Sequence, residues 1–240
     1  MRVYAIGDIH GQIDLLRQAH RRIDADGGAG ATVVHLGDLV DRGPDSRGVI
    51  QTLIDGQAAG CDWRVVLGNH DRMLSRFLSD PDWIDPGLSS QRHWIVHPHL
   101  GAAATLMSYG VDATLPCRDL HRAMLSAVPR EHATWLAGLP DWYLHPLALF
   151  VHAGVRPGVD LQDQTQDDCV WIRQPFLQSD ADFGPLVVHG HTPVADRPVH
   201  YGNRLNIDSG AAYGGPLSAV VIEASGVWHL TEDGRRPVVP

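Results

Sequence analysis

"TVVHLGDLVDRGP" occupies residues 32–44. It begins as an apolar, β-branched run and ends in Asp38, Asp41 and Arg42. A short run of that kind, closed by Gly and Pro, reads as a buried strand. A strand that releases charge from its carboxyl end delivers it to the edge of a sheet where open α/β folds bind ligands. The meaning of these three side chains therefore depends on what the neighbouring strands deliver to the same edge.

Two similar runs flank this one, "RVYAIGD" at 2–8 and "WRVVLGN" at 63–69. After each of the three, apolar residues recur at helical spacing: Leu15, Leu16, Ala19 and Ile23, then Val49, Ile50, Leu53 and Ile54, then Met73, Leu74, Phe77 and Leu78. Strands and helices in this alternation imply βαβ units and a largely parallel sheet. Residues 80–140 break the rhythm with Pro, Trp and His, and then show helical patterns over Leu120–Val128 and His132–Leu139. That segment reads as a cap inserted on the core. After Pro140, "WYL" and "LALFVHAG" flank a turn, and "LVVHGH", "RLNIDSG", "LSAVVIE" and "VWHL" follow as short strands. They read as antiparallel additions forming a second sheet. The expected fold is α/β, a two-sheet β-sandwich core flanked by helices with a small cap at 80–140, in one domain spanning 1–240.

Composition narrows the function. With 240 residues, 44% of them hydrophobic, the chain can bury one sizeable core. A formal net charge of −9 argues against a protein that tracks a nucleic-acid polymer, which needs clustered Lys and Arg. A small anionic substrate is still allowed, because bound cations can invert the local field. Asp8 interrupts the N-terminal apolar run, so no signal peptide is expected, and the apolar runs are too short to span a membrane. Cys61, Cys117 and Cys169 have no metal-motif spacing and read as reduced thiols. A cytoplasmic protein without a membrane partner is expected.

Five apolar runs end in metal-type ligands: "AIGDIH", "HLGDLVD", "VLGNHD", "FVHAG" and "VVHGHTP". Gly-Asp after a single strand is ordinarily a turn whose Asp caps the next helix. A lone histidine among the 15 in this chain is ordinarily solvated or hydrogen-bonded. Neither account explains five repetitions. Adjacent strands would gather Asp8, His10, Asp38, Asn69, His152 and His191 without any local spacing motif. Asp8 and His10, two residues apart, would point the same way in extended chain. Carboxylates, an amide oxygen and imidazoles without thiolate suit Mn, Fe, Zn, Co or Ni, and six ligands suit two ions.

"GDIHG", "GDLVDRG", "GNHD", "HAG" and "GHTP", in that order over residues 7–193, resemble the calcineurin-like metallophosphoesterases. The bacterial and phage Ser/Thr phosphoprotein phosphatases look nearest, and "NRLNIDSGAAYGGPLSAVVI" and "ATLMSYG" extend the likeness. The resemblance implies that Asp8, His10 and Asp38 hold a first metal ion. Asp38 would bridge to a second, held also by Asn69, His152 and His191. Where many relatives read Gly-His-x-His, this chain has Pro193, so water would complete the first shell. His189 matches no ligand position and reads as a strand residue. By the same resemblance Arg42 and Arg173 grip phosphate, Asp41 orients His70, and His70 is the general acid. The two metals, Mn by that likeness, would activate a bridging water.

The expected substrate is a phosphorylated one, a phosphoprotein or small phosphoester, which makes a Ser/Thr protein phosphatase the first reading. The alternative is a dinucleoside polyphosphate hydrolase such as those acting on diadenosine tetraphosphate, which share the scaffold. Symmetrically cleaving hydrolases typically carry Ala at the position of Asp41, which favours the phosphatase; asymmetrical ones can keep the Asp. A non-catalytic metal-binding scaffold is the third reading, set back by a site with every position filled. Trp83, Trp94, His93, His97 and His99 of the cap could stack on a base, with packing against the core the favoured use of the tryptophans.

Overall fold

A computed structural model describes residues 1–88, 90 and 92–240. The first half alternates as its periodicity requires: β1 (Arg2–Ile6), α1 (Ile13–Ala25), β2 (Val33–His35), α2 (Ser46–Ala58), β3 (Trp63–Val65) and α3 (Asn69–Ser79). Then come α4 (Ala102–Ser108), α5 (Cys117–Ala127) and α6 (Arg130–Ala137). The second half holds β4 (Trp142–His145), β5 (Ala148–Val151), α7 (Gln166–Trp171), β6 (Leu186–His189), β7 (Val199–His200), β8 (Arg204–Asn206), β9 (Ala219–Glu223), β10 (Gly226–Thr231) and β11 (Gly234–Pro237).

The strands form two sheets, ordered β11-β10-β9-β1-β2-β3 and β4-β5-β6-β8-β7. In β1 the pleat sends alternate residues to opposite faces. Val3 and Ala5 pack between the sheets with Val34, Phe150, Val188 and Leu205, while Tyr4 and Ile6 pack outward beneath the helices with Leu16, Ile50 and Leu74. β5 behaves the same way, with Phe150 between the sheets and Leu149 and Val151 in an outer core with Val170 and Phe176. Burial on both faces explains why these strands read as unbroken apolar runs. No helix among the described residues is long and apolar enough to cross a membrane.

One expectation changes. β5, β6 and β8 pair in parallel rather than as antiparallel additions; β4 and β7 are their antiparallel edges, and β9 and β10 return to the first sheet. Parallel neighbours need long crossovers, and residues 152–185, with α7, and 190–203 supply them. Helices of the 80–140 segment lie on the first-sheet helices, α4 on α2 and both α5 and α6 on α3. Trp94, Leu106, Leu120, Met124 and Leu136 thereby join the outer core, while Gly87, Leu88, His97, His99 and Leu100 border the cleft described next.

Candidate metal centre

β1, β2 and β3 are parallel neighbours, and so are β5, β6 and β8. The segments after their carboxyl ends carry Asp8 with His10, Asp38, Asn69 at the start of α3, His152, His191 and Asp208. Asp8, His10, Asp38, Asn69, His191 and Asp208 line a cleft of about 320 Å³, and His152 is wholly buried behind them. A larger groove, about 440 Å³, lies between α1 and the β10–β11 hairpin but contains none of the metal-type clusters found among the described residues.

Lone pairs converge at the cleft floor. His10 Nδ1 donates to Val40 O at 2.8 Å and His152 Nδ1 to Leu36 O at 2.8 Å, so in each neutral ring Nε2 is an acceptor. His10 Nε2 lies 3.3 Å from Asp38 Oδ2, and His152 Nε2 lies 3.4 Å from Asp38 Oδ1 and 3.0 Å from Asn69 Oδ1. Acceptors gathered around acceptors call for a cation. Asp8 Oδ1 and His191 Nε2 are buried without a hydrogen-bond partner; such atoms are costly unless something binds them. A Cβ on Gly68 would strike Asp38 and one on Gly190 would strike Asp8. The cradle therefore requires glycine at both positions, and the donor set fits borderline divalent ions. Asp38, His152 and His191 form one compact group; His10, Asp38 and His70 form another, each with ligand atoms within 4.8 Å of one another.

Backbone strain is spent here. His10, Asp38, Asp41, Arg42 and His191 have φ between 45° and 73°, and they are the non-glycine residues with positive φ among the described residues. Each such residue costs on the order of 1–3 kcal/mol and persists only where the surroundings fix it. The fixing bonds are visible. His191 N donates to Asp8 Oδ2 at 3.0 Å, and His70 N to Asp38 Oδ1 at 3.0 Å. Asp71, wholly buried, receives Leu39 N at 2.8 Å and Gly68 N at 3.0 Å, tying the loop after β2 to the start of α3.

The Asp41 carboxylate accepts three side-chain hydrogen bonds. His70 Nδ1 donates to its Oδ2 at 2.6 Å, Trp94 Nε1 to the same oxygen at 2.7 Å, and Thr105 Oγ1 to Oδ1 at 2.7 Å. The Asp41 amide returns to Thr105 Oγ1 at 2.8 Å. Trp94 thus packs, as its composition favoured, and also holds the partner of His70. Replacing Trp94 with Phe keeps most of the packing and removes one charge-assisted bond, worth about 1.5–3 kcal/mol. An unfolding free energy lowered by that amount is expected in urea titration; an unchanged midpoint would mean the bond contributes nothing net.

The buried charges shift one another. Burial raises the Asp8 carboxyl well above its usual range, helped by Asp208 and Asp38. Burial alone would raise Asp38 as well, but His152, His70 and His10 outweigh it and hold it well below. Burial pulls His70, His152 and His191 down toward their neutral forms, which at His152 and His191 is the ligating one; Asp38 and Asp41 oppose the shift at His70. Burial, with Asp38 nearby, pushes Asp71 up to about 8.

All ten expected site residues converge, eight lining the cleft, with His152 and Asp41 buried behind it. Arg42 Nη1 donates to His10 Nε2 at 2.6 Å and its guanidinium lies 5.1 Å from the Tyr213 ring centre. Arg173 is exposed at the rim, where its charge lowers the pKa of His191. His189 turns away, its ring against Phe176. Asp71, Thr105 and Asp208 were not singled out by sequence. "GNHD", "ATLMSYG" and "NIDSG" contain them, but the bonds of Asp71 to Leu39 and of Thr105 to Asp41 span 32 and 64 residues and leave no spacing signal.

A family model for calcineurin-like phosphoesterases matches residues 1–220. A symmetrical bis(5'-nucleosyl)-tetraphosphatase from Janthinobacterium sp. is 28% identical over 92% of this chain and 92% of its own length. An asymmetrical bis(5'-nucleosyl)-tetraphosphatase from Halalkalibacterium halodurans is 25% identical over 90% of this chain and 87% of its own. Among solved structures, one named as a candidate diadenosine tetraphosphatase superposes with a TM-score of 0.66 at 23% identity, covering 99% of this chain and 94% of that one.

Proposed function

The chain belongs to the calcineurin-like phosphoesterase family, and from that premise we propose that it is a two-metal hydrolase of dinucleoside polyphosphates, acting in the cytoplasm. The observation that carries the metal chemistry is the set of unsatisfied acceptors at the cleft floor, above all Asp8 Oδ1 and His191 Nε2. The substrate reading rests on near full-length relatives named as tetraphosphatases. It displaces the Ser/Thr phosphatase that sequence alone placed first.

Asp8, His10 and Asp38 would hold one ion, and Asp38, Asn69, His152 and His191 the other, with Mn the expected metal. Two such cations supply Lewis-acid activation of a water nucleophile and neutralise phosphoryl charge. The protein's own groups do the rest. Arg42 and a cation could not both use the His10 Nε2 lone pair, so with an ion held there the guanidinium would be free to turn toward substrate oxygens, with Arg173 at the rim. Both arginines favour the transition state as charge builds on the phosphoryl oxygens. Asp41 fixes the His70 tautomer and keeps Nε2 available to carry a proton to the leaving oxygen.

That last pair supports a second reading. A nucleotide leaving group departs as a phosphate anion and needs little protonation, whereas a serine alkoxide needs it strongly. The intact Asp41–His70 pair therefore favours a phosphomonoesterase acting on phosphoserine or phosphothreonine. The test is kcat/KM with Mn on diadenosine tetraphosphate, a phosphoserine peptide and a simple phosphodiester. The tetraphosphate should be the best of the three, activity should vanish in EDTA, and Mn or Co should restore it. A clear preference for the peptide would return the assignment to the second reading.

Arg42→Ala should raise KM and lower kcat together, because phosphate is gripped in both ground and transition states. One lost charge-assisted bond corresponds to about 10–150-fold in kcat/KM. Metal content measured by elemental analysis should remain normal; its loss would make Arg42 part of the metal cradle.

A further inference from the structure

Two cleft residues have no part in the metal centre or the acid pair. His97 is half-buried and His99 exposed, and both line the cleft mouth. Neither belongs to a metal-type group among the described residues. We propose that His97 and His99 form a subsite for a second phosphate, the one next to the phosphoryl group held at the metal centre. This rests on the polyphosphate reading above.

The subsite is held in place by the catalytic machinery itself. Three residues before His97, Trp94 is anchored on Asp41. Two residues after His99, Gly101 O accepts the amide of Arg42 at 3.2 Å. The histidines thus sit on a strap pinned at both ends to residues that serve the scissile phosphate, and the strap cannot drift away from it. His97 Nδ1 accepts the His99 amide at 3.3 Å, which leaves the neutral ring's proton on Nε2 as a hydrogen-bond donor. The two rings stand 5.9 Å apart and 68° from parallel, presenting two edges rather than one stacking face.

Charge points the same way. The acids lining the cleft are Asp8, Asp38 and Asp208, all at the floor among the metal-type ligands. Among the described residues, the walls carry Arg42, Arg173, His97 and His99 and no carboxylate. In a chain of net charge −9 this is a local donor-rich collar. A phosphomonoester offers anionic oxygens to the floor and to the arginines but none to a second set of donors. A polyphosphate offers a further phosphate one bridging oxygen away.

The test uses Mn-loaded enzyme and competitive inhibition of nitrophenyl phosphate hydrolysis by AMP and by α,β-methylene-ADP. These differ by one phosphate and neither requires turnover. Wild type should bind the methylene-ADP at least about tenfold more tightly than AMP, the scale of one bond to a charged group. In H97A/H99A that ratio should fall to within about twofold. His97→Gln, which keeps an N–H donor, should retain more of it and guards against a folding defect. Equal weakening of both inhibitors, or a preserved ratio, would overturn the subsite. The underlying reading fails separately, if wild type prefers the methylene-ADP yet leaves diadenosine tetraphosphate uncleaved.

Discussion

Asp38→Asn should lose turnover and metal at both positions together. Its two carboxylate oxygens face opposite ways, Oδ2 toward His10 and Oδ1 toward His152, and Oδ1 also takes the His70 amide. The amide is nearly isosteric, so the fold should survive while a buried negative charge disappears from between two cation sites. Removing one partner of a buried ionic interaction costs about 3–5 kcal/mol, or roughly 10²–10⁴-fold in affinity. Elemental analysis after dialysis should find both ions depleted and kcat nearly abolished. If Asp38→Asn keeps more activity than Asn69→Ala, Asp38 does not bridge.

His70→Asn should separate the two substrate readings by its effect on different leaving groups. With a phosphoserine peptide the loss should be roughly 10²–10⁴-fold, the usual scale for a positioned acid. With nitrophenyl phosphate or diadenosine tetraphosphate, whose leaving groups are far less basic, the loss should be clearly smaller. The acid must be protonated to act, so wild-type activity on the peptide falls as pH rises through the His70 pKa. That basic limb should fade in the variant. Equal losses on all substrates would mean that His70 positions phosphate or supports Asn69, and the acid would have to be sought elsewhere.

The floor of the site was legible because each strand announces its own end. An apolar run, a glycine and a metal-type ligand recur five times, and neighbouring parallel strands bring those ends together without any local motif. The first sheet's βαβ half was legible for the same reason, since strand and helix periods alternate. The second sheet's parallel core was not, because β5, β6 and β8 are only three or four residues long and the crossovers between them lack a long helix. Nor was the strain at His10, Asp38, Asp41, Arg42 and His191, since none of these is the glycine that usually marks positive φ. Trp94 and Thr105 could not be tied to Asp41 from sequence, as their bonds span 53 and 64 residues. Asp41 itself steered the substrate reading toward a phosphatase, while the named relatives favour polyphosphate hydrolysis.

By the proposed function, six ligands from five strand ends would hold two ions, with Asp38 between them. Anomalous diffraction from crystals grown with Mn tests it directly. Two peaks are predicted, one bounded by Asp8, His10 and Asp38 and the other by Asp38, Asn69, His152 and His191. A single peak, or a peak coordinated by His70 in place of Asp8, would contradict it.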